Sequence, residues 1–159
     1  MYLSVLLWVA AFLFLLRRYI YEKDLGMTQK IYNGTTEKFG QLWKFIDCVD
    51  DWYLISNHGM VWSCDSQQFL KPLFNRQTGY YYVKLRQNGI RRNFAIHRLV
   101  ATAFVGNPKS KPQVNHKDEN KKNNCADNLE WVTAWENINH GTHNKRSALS
   151  RSKRNRGIA

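Results

Sequence analysis

Cysteine is scarce and unpatterned: Cys48, Cys64 and Cys125 are scattered, odd in number and form no CxxC pair. A disulfide framework and a zinc knuckle are therefore unsupported, and a reducing, cytoplasmic setting is the simpler inference. Negative charge is also in short supply, with 12 Asp and Glu against 24 Lys and Arg, for a formal net charge of +12. No acidic residue occurs between Lys71 and Arg98, and none after His140. A balance so one-signed points to a polyanionic partner, nucleic acid before membrane. No apolar run reaches the ~20 residues that a membrane-spanning helix needs. The longest, Tyr2 to Leu16, is stopped by Arg17 and Arg18. It lacks the leading basic residues and the small-residue cleavage site of a secretory signal. Two readings of it stand: a membrane anchor with the arginine pair on the cytoplasmic side, or a segment upstream of a true start at Met27. We expect the second. No internal repeat is present.

What the chain does have is aromatic and apolar content. Its 159 residues include six Trp, enough for a core in one ordinary domain with flanking arms. Alternation and turn signals predict short strands over 43–46, 52–55, 60–63, 80–85 and 91–96. Ser56-Asn57-His58-Gly59 forms one turn, and Asn88-Gly89 is a hairpin turn into the last strand. A helix is expected over 97–104, with Leu99, Val100, Ala103 and Phe104 on its buried side and Asn107-Pro108 beyond its end. His97 then reads as a cap or a hydrogen-bond partner, and His58 as a turn residue without a catalytic role.

The stretch from Val114 to His140 concentrates the chemistry. Residues 112–116 read as a strand ending in His116, and 117–128 as a polar loop too charged and Asn-rich to be buried. Leu129-Glu130-Trp131-Val132 reads as a second strand. Thr133 is a plausible N-cap with Glu136 completing a capping box, so a helix should run through Asn137 and His140. A histidine at a strand end is a good general base near neutral pH. Asn115 and Asn137 offer hard amide oxygens suited to magnesium or manganese. Asn128 could fix the loop and orient the His116 ring. Glu130 and Glu136 are close in sequence, but helical spacing turns Glu136 away from Asn137. Each residue alone has a bland structural use; their order and context favour a reactive site.

These motifs, His97 to Phe104 as HRLVATAF, then VNHKDENKKNN, NLEWVT and EN with a following His, resemble the core of the HNH endonucleases. Those are the ββα-metal nucleases, and the likeness is to the homing-type branch of introns and phage genomes. The resemblance implies that His116 is the general base, Asn128 the middle signature asparagine, and Asn115 and Asn137 the metal ligands. His140, one turn on, would ligate or contact phosphate. The position of Asn115 is often Asp in the family, and that of Asn137 is often His. Upstream, Trp43, Ile46, Tyr53, Ser56-Asn57 and Gly59 resemble the small modular motif that precedes the nuclease core in the same family and helps to bind DNA.

The implied fold is α+β: a small antiparallel sheet module followed by a ββα-metal nuclease core and a basic C-terminal arm. Its segments would be an extension over 1–38, the DNA-binding module over 39–96, the core over 97–142 and the tail over 143–159. The implied function is metal-dependent hydrolysis of double-stranded DNA, by nicking or double-strand cleavage, with Mg²⁺ or Mn²⁺ as cofactor. The alternative is a non-catalytic DNA-binding protein derived from such a nuclease. Arg76, Lys84, Arg86, Arg91, Arg92 and Arg98 form a one-signed stretch beside the site, with Lys84 and Arg86 on one strand face. Lys121 and Lys122 in the loop, and Lys145 and Arg146 in the tail, extend the phosphate-binding set. A nuclease has no physical use for the run 2–16, which is why a start at Met27 is expected. Removing residues 145–159 should weaken binding to all DNA sequences alike. It should also flatten the salt dependence, by about 0.9 in slope for each phosphate that the tail neutralises. Titrations at several salt concentrations test this, and an unchanged slope would mean that the tail does not touch the backbone.

Overall fold

A computed structural model describes residues 35–38, 40–50, 53–141 and 152. The apolar run 2–16, Met27, Lys145 and Arg146 lie outside the described residues. The chain divides into two compact units, 1–42 and 43–159. The first contains strand β1 (Thr35–Lys38) and the first residues of β2 (Gln41–Phe45).

In the second unit, β2 pairs with β3 (Tyr53–Ser56), β3 with β4 (Val61–Ser63) and β4 with β5 (Gln68–Phe69), all antiparallel. Strand β3, Tyr-Leu-Ile-Ser, is buried at every position, so both of its faces are covered. The turn after it is held by Ser56, whose Oγ accepts from the backbone N–H of His58 and Met60. A second antiparallel sheet orders β6 (Leu73–Phe74), β7 (Tyr81–Gln87) and β8 (Ile90–Ala95). Along β7, Val83 and Leu85 are buried while Lys84 and Arg86 are exposed, the period-two pattern of a half-covered sheet. Its hairpin turn places Asn88 at φ 52° and Gly89 at φ 74°, as the Asn-Gly pair allows. The Asp50 carboxylate accepts from both of those backbone N–H groups, and these bonds hold its pKa below the usual carboxylate value.

Helix α1 (Ile96–Phe104) follows directly from β8. Its N-cap is Ala95, with no side-chain cap bond. His97 is therefore not a cap; it turns inward and is buried. The helix ends at Phe104, before Asn107-Pro108, and the Val105 N–H closes the last turn onto the Ala101 carbonyl. Ile96, Leu99, Val100 and Ala101 enter the core with Ile55, Val61, Val83, Leu85, Val114 and Leu129. One helix thus buries residues of both sheets and of the hairpin that follows. That hairpin is β9 (Gln113–His116) and β10 (Leu129–Val132), joined by a loop that ends in a 3₁₀ turn over Ala126–Asn128. Helix α2 (Ala134–Asn139) closes the fold, with Thr133 and Glu136 forming the expected capping box. The architecture is α+β, an antiparallel sheet module leading into a ββα unit.

One expectation about the loop fails. Asn124 is buried, and the loop is pinned under the turn of the first sheet, where Asn57 O accepts from Ala126 N at 2.8 Å. Gly59 permits this approach. A Cβ there would lie 3.0 Å from both Asn124 Cβ and Ile96 Cγ2, and its φ of +84° disfavours any side chain. Gly59→Ala should therefore destabilise the fold by about 1–3 kcal/mol. Denaturant unfolding measures this, and an unchanged midpoint would mean that the turn moves freely off the loop.

Candidate active site

The β9–β10 register sets His116 opposite Leu129, and Asn115 opposite Glu130. Because strand side chains alternate, His116 faces the core while Gln113 and Asn115 face the other side. Two hydrogen bonds fix the amides. Asn115 Nδ2 donates to Glu130 Oε1 at 2.9 Å, and Asn137 Nδ2, from α2, donates to Gln113 Oε1 at 2.8 Å. With each NH₂ group so engaged, both Oδ1 atoms remain as acceptors. Asn115, Asn137, His116 and His140 line one cleft of about 250 Å³, together with Tyr80, Glu119, Lys121 and Ile138. The expected metal-binding trio is therefore gathered in one place, with the general-base candidate beside it.

His116 is 3 % exposed. Its Nε2 lies 3.3 Å from Asn124 Oδ1, and Asn124 Nδ2 donates to Lys122 O at 3.4 Å. The Asn124 oxygen is thus the acceptor, His116 Nε2 carries the proton, and Nδ1 keeps the lone pair. Burial lowers the His116 pKa, against the opposing effects of the Asn124 bond and Asp118. The ring is therefore uncharged at neutral pH.

Of the two expected roles of Asn128, fixing the loop holds and orienting the His116 ring does not. Its amide does not meet the imidazole. Asn128 Oδ1 accepts from Asp118 N at 3.1 Å, and Nδ2 donates to Asp118 Oδ1 and to Asn123 O, both at 2.9 Å. Asn128 ties the two ends of the loop together, and the loop then presents Asn124 to the ring. Nothing in the sequence separated Asn124 from its neighbours Asn120, Asn123 and Asn128; only its burial does.

Three further residues join the site, although sequence reasoning gave none of them a part in it. Tyr80 lies over His97 with ring centroids 4.4 Å apart and over His116 at 5.8 Å, and His97 and His116 are 5.3 Å apart. Burial, aided by His116, Arg98 and Lys121, pushes His97 down to about 4, so it is an uncharged neighbour. Its Nδ1 is buried without a hydrogen-bond partner. Glu130 stands between Asn115 and His140, whose Nε2 is 3.8 Å from Glu130 Oε1. The site is less neutral than its amide ligands suggested. Glu136 is occupied elsewhere: Lys111 at 2.8 Å and the Thr133 N–H draw its carboxyl down to about 2.

The basic candidates divide by face. Lys84, Arg86 and Arg91 are exposed, and the pairing of Arg86 with Arg91 puts them on one side of the hairpin. Arg92 pairs with Leu85 and is exposed on the other side, and Arg76 is exposed in the turn before β7. Arg98 braces the fold, donating to Pro112 O at 3.2 Å with its guanidinium 5.7 Å from the Trp131 ring. Lys121 sits 4.6 Å above the Tyr80 ring at the cleft, and Lys122 lies 5.6 Å from Phe74. Among the described residues, no cluster of three His, Cys, Asp or Glu side chains forms a metal cage. Ligation would instead depend on the two amide oxygens and His140. Hard oxygen donors of this type fit a hydrated divalent ion that keeps several waters.

Comparison with known proteins agrees with this geometry. Residues 94–138 match the HNH endonuclease family, and residues 42–86 the NUMOD4 motif. An uncharacterised HNH endonuclease of Acanthamoeba polyphaga mimivirus is 42% identical over 111 residues, 70% of this chain and 33% of that protein. The DNA endonuclease I-HmuI of Bacillus phage SP01 is 38% identical over 111 residues, 70% of this chain and 62% of that protein. A solved structure of DNA binding and cleavage by I-HmuI superposes with a TM-score of 0.56 at 34% identity, over 74% of this chain and 65% of that one. The chain spans about a third of the length of the mimivirus relative and under two thirds of I-HmuI. It carries an HNH endonuclease domain behind a NUMOD4 motif, and its homologues include the phage HNH homing endonucleases.

Proposed function

We propose that this chain hydrolyses phosphodiester bonds of double-stranded DNA at the β9–β10–α2 cleft, as a homing-type nuclease that uses a divalent ion. One observation carries the reading. His116 is buried and neutral, its Nε2 proton is committed to Asn124, and it shares a cleft with the amides of Asn115 and Asn137 and with His140.

The residues divide the work. His116 Nδ1 takes a proton from the attacking water, a step worth about 10²–10⁴-fold in such sites. Asn124 holds the ring in the required tautomer, and the Tyr80 and His97 rings fix its plane. Asn115 Oδ1, Asn137 Oδ1 and His140 would hold the ion, which is Mg²⁺ in the simplest reading, with Mn²⁺ as the other hard candidate. When bound, the ion supplies positive charge to the phosphoryl and leaving oxygens. Glu130 holds Asn115 in place and adds negative charge beside the ligand set. Lys121 places an ammonium at the cleft wall for a phosphate. The exposed Lys84, Arg86 and Arg91 provide a surface that tracks the backbone without reading sequence.

His116→Ala should slow magnesium-dependent nicking of supercoiled plasmid by about 10²–10⁴-fold and leave DNA affinity nearly unchanged. Asn124→Ala should lower the rate by a smaller factor, since it removes orientation and keeps the base. Asn137→Ala should abolish cleavage at any practical magnesium concentration. Nicking by His116→Ala at the wild-type rate would overturn the assignment of the base, and an active Asn137→Ala would overturn that of the ligands.

A further inference from the structure

Helix α2 is inverted relative to an ordinary amphipathic helix. None of its residues is buried. Polar contacts hold it: the Thr133–Glu136 capping box at its own N-terminus, Lys111 to Glu136, and Asn137 to Gln113 of the hairpin. Its large apolar side chains point outward instead. Trp135 is 74 % exposed, more than any other large apolar residue among those described, and Ile138 is 54 % exposed. They are three residues apart and so share a helix face. Exposing a tryptophan and an isoleucine together forgoes the burial that normally stabilises a surface helix.

Their position tells what covers them. Ile138 lines the cleft with Asn137 and His140. A duplex whose phosphodiester is held by those two residues would pass its adjoining nucleotides beside Ile138. Trp135 is the neighbour of Ile138 on the same helix face, at the rim of the cleft and outside its lining. The wall beyond carries Lys121, and the chain has a net charge of +12, so the occupant is polyanionic as well as able to meet an apolar surface. Duplex DNA satisfies both demands, with phosphates outside and base faces within. Resting on the nuclease reading above, we propose that Trp135 and Ile138 form an apolar wedge that enters the duplex beside the scissile phosphate and separates a base step there. Unstacking a step costs a few kcal/mol, and stacking a base on an aromatic ring returns about 1–3 kcal/mol. The wedge would thereby bend the strand toward the cleft.

Negative supercoiling lowers the cost of unstacking, which allows a test without a known target sequence. Negatively supercoiled and relaxed closed-circular forms of one plasmid are nicked in magnesium by wild-type protein, Trp135→Ala, Ile138→Ala and Trp135→Phe. Loss of the wedge should slow nicking of the relaxed circle by about tenfold or more, equivalent to at least ~1.4 kcal/mol of barrier, and that of the supercoiled circle far less. Trp135→Phe should restore most of the rate. Both positions are exposed, so the variants should keep the wild-type melting temperature. Equal slowing on the two forms, or none, would overturn the wedge. So would a change of oligomeric state in Trp135→Ala with an unaltered ratio between the two forms, since the face would then be covered by a second copy. Wild-type protein that nicks neither form would instead overturn the nuclease reading itself.

Discussion

Burial of one nine-residue helix is the interaction on which the rest of this structure depends. Helix α1 gives Ile96, Leu99, Val100 and Ala101 to a core shared with Ile55 and Val61 of the first sheet, Val83 and Leu85 of the second, and Val114 and Leu129 of the hairpin. Each fully buried aliphatic side chain contributes roughly 1.5–3 kcal/mol, so this contact fastens the NUMOD4 region to the nuclease core. The same helix carries His97 to the back of the site. Packing and site geometry are consequently one problem: His116 stays where β9 leans on α1.

A buried imidazole costs free energy unless it is neutral and its donor is paired. Here the cost falls unevenly on two rings. His116 gains the Asn124 oxygen, whereas His97 has a buried Nδ1 with no partner and is pushed down to about 4. Tyr80 closes over both, with the Lys121 ammonium 4.6 Å from its ring. An uncharged neighbour does not compete with His116 for protons at neutral pH. The arrangement keeps the basic nitrogen of His116 both available and fixed in plane.

The amide side of the cleft obeys a different constraint. Two asparagines would be poor metal ligands if their amides rotated freely, because an NH₂ group pointing at a cation repels it. Glu130 and Gln113 remove that freedom by accepting the two NH₂ groups. Orientation by neighbouring hydrogen bonds is the usual way to tune weak ligands, and Glu130 places a carboxylate within the same set of contacts. The carboxylate that sequence spacing left ambiguous is thus part of the site, while Glu136 is spent on the helix cap and on Lys111.

Local pattern was enough to read most elements of the fold. Alternation in Tyr81–Gln87, the Asn88-Gly89 turn, the apolar face of α1 and the Thr133–Glu136 capping box are written in neighbouring residues, because strand pleat, turn φ and helix caps are short-range physics. The two-residue strands β5 and β6 left no such signal, since they exist only through pairing with β4 and β7. By itself the sequence also determined the basic character of the partner surface and the order of His116, Asn128 and Asn137. Tertiary structure alone decided which asparagine meets the imidazole. Asn123, Asn124 and Asn128 have the same chemistry, and only the pinning of the loop beneath Gly59 turns Asn124 inward and leaves Asn128 to brace the loop. Contacts between residues distant in sequence depend on how separate elements pack, which no local pattern encodes.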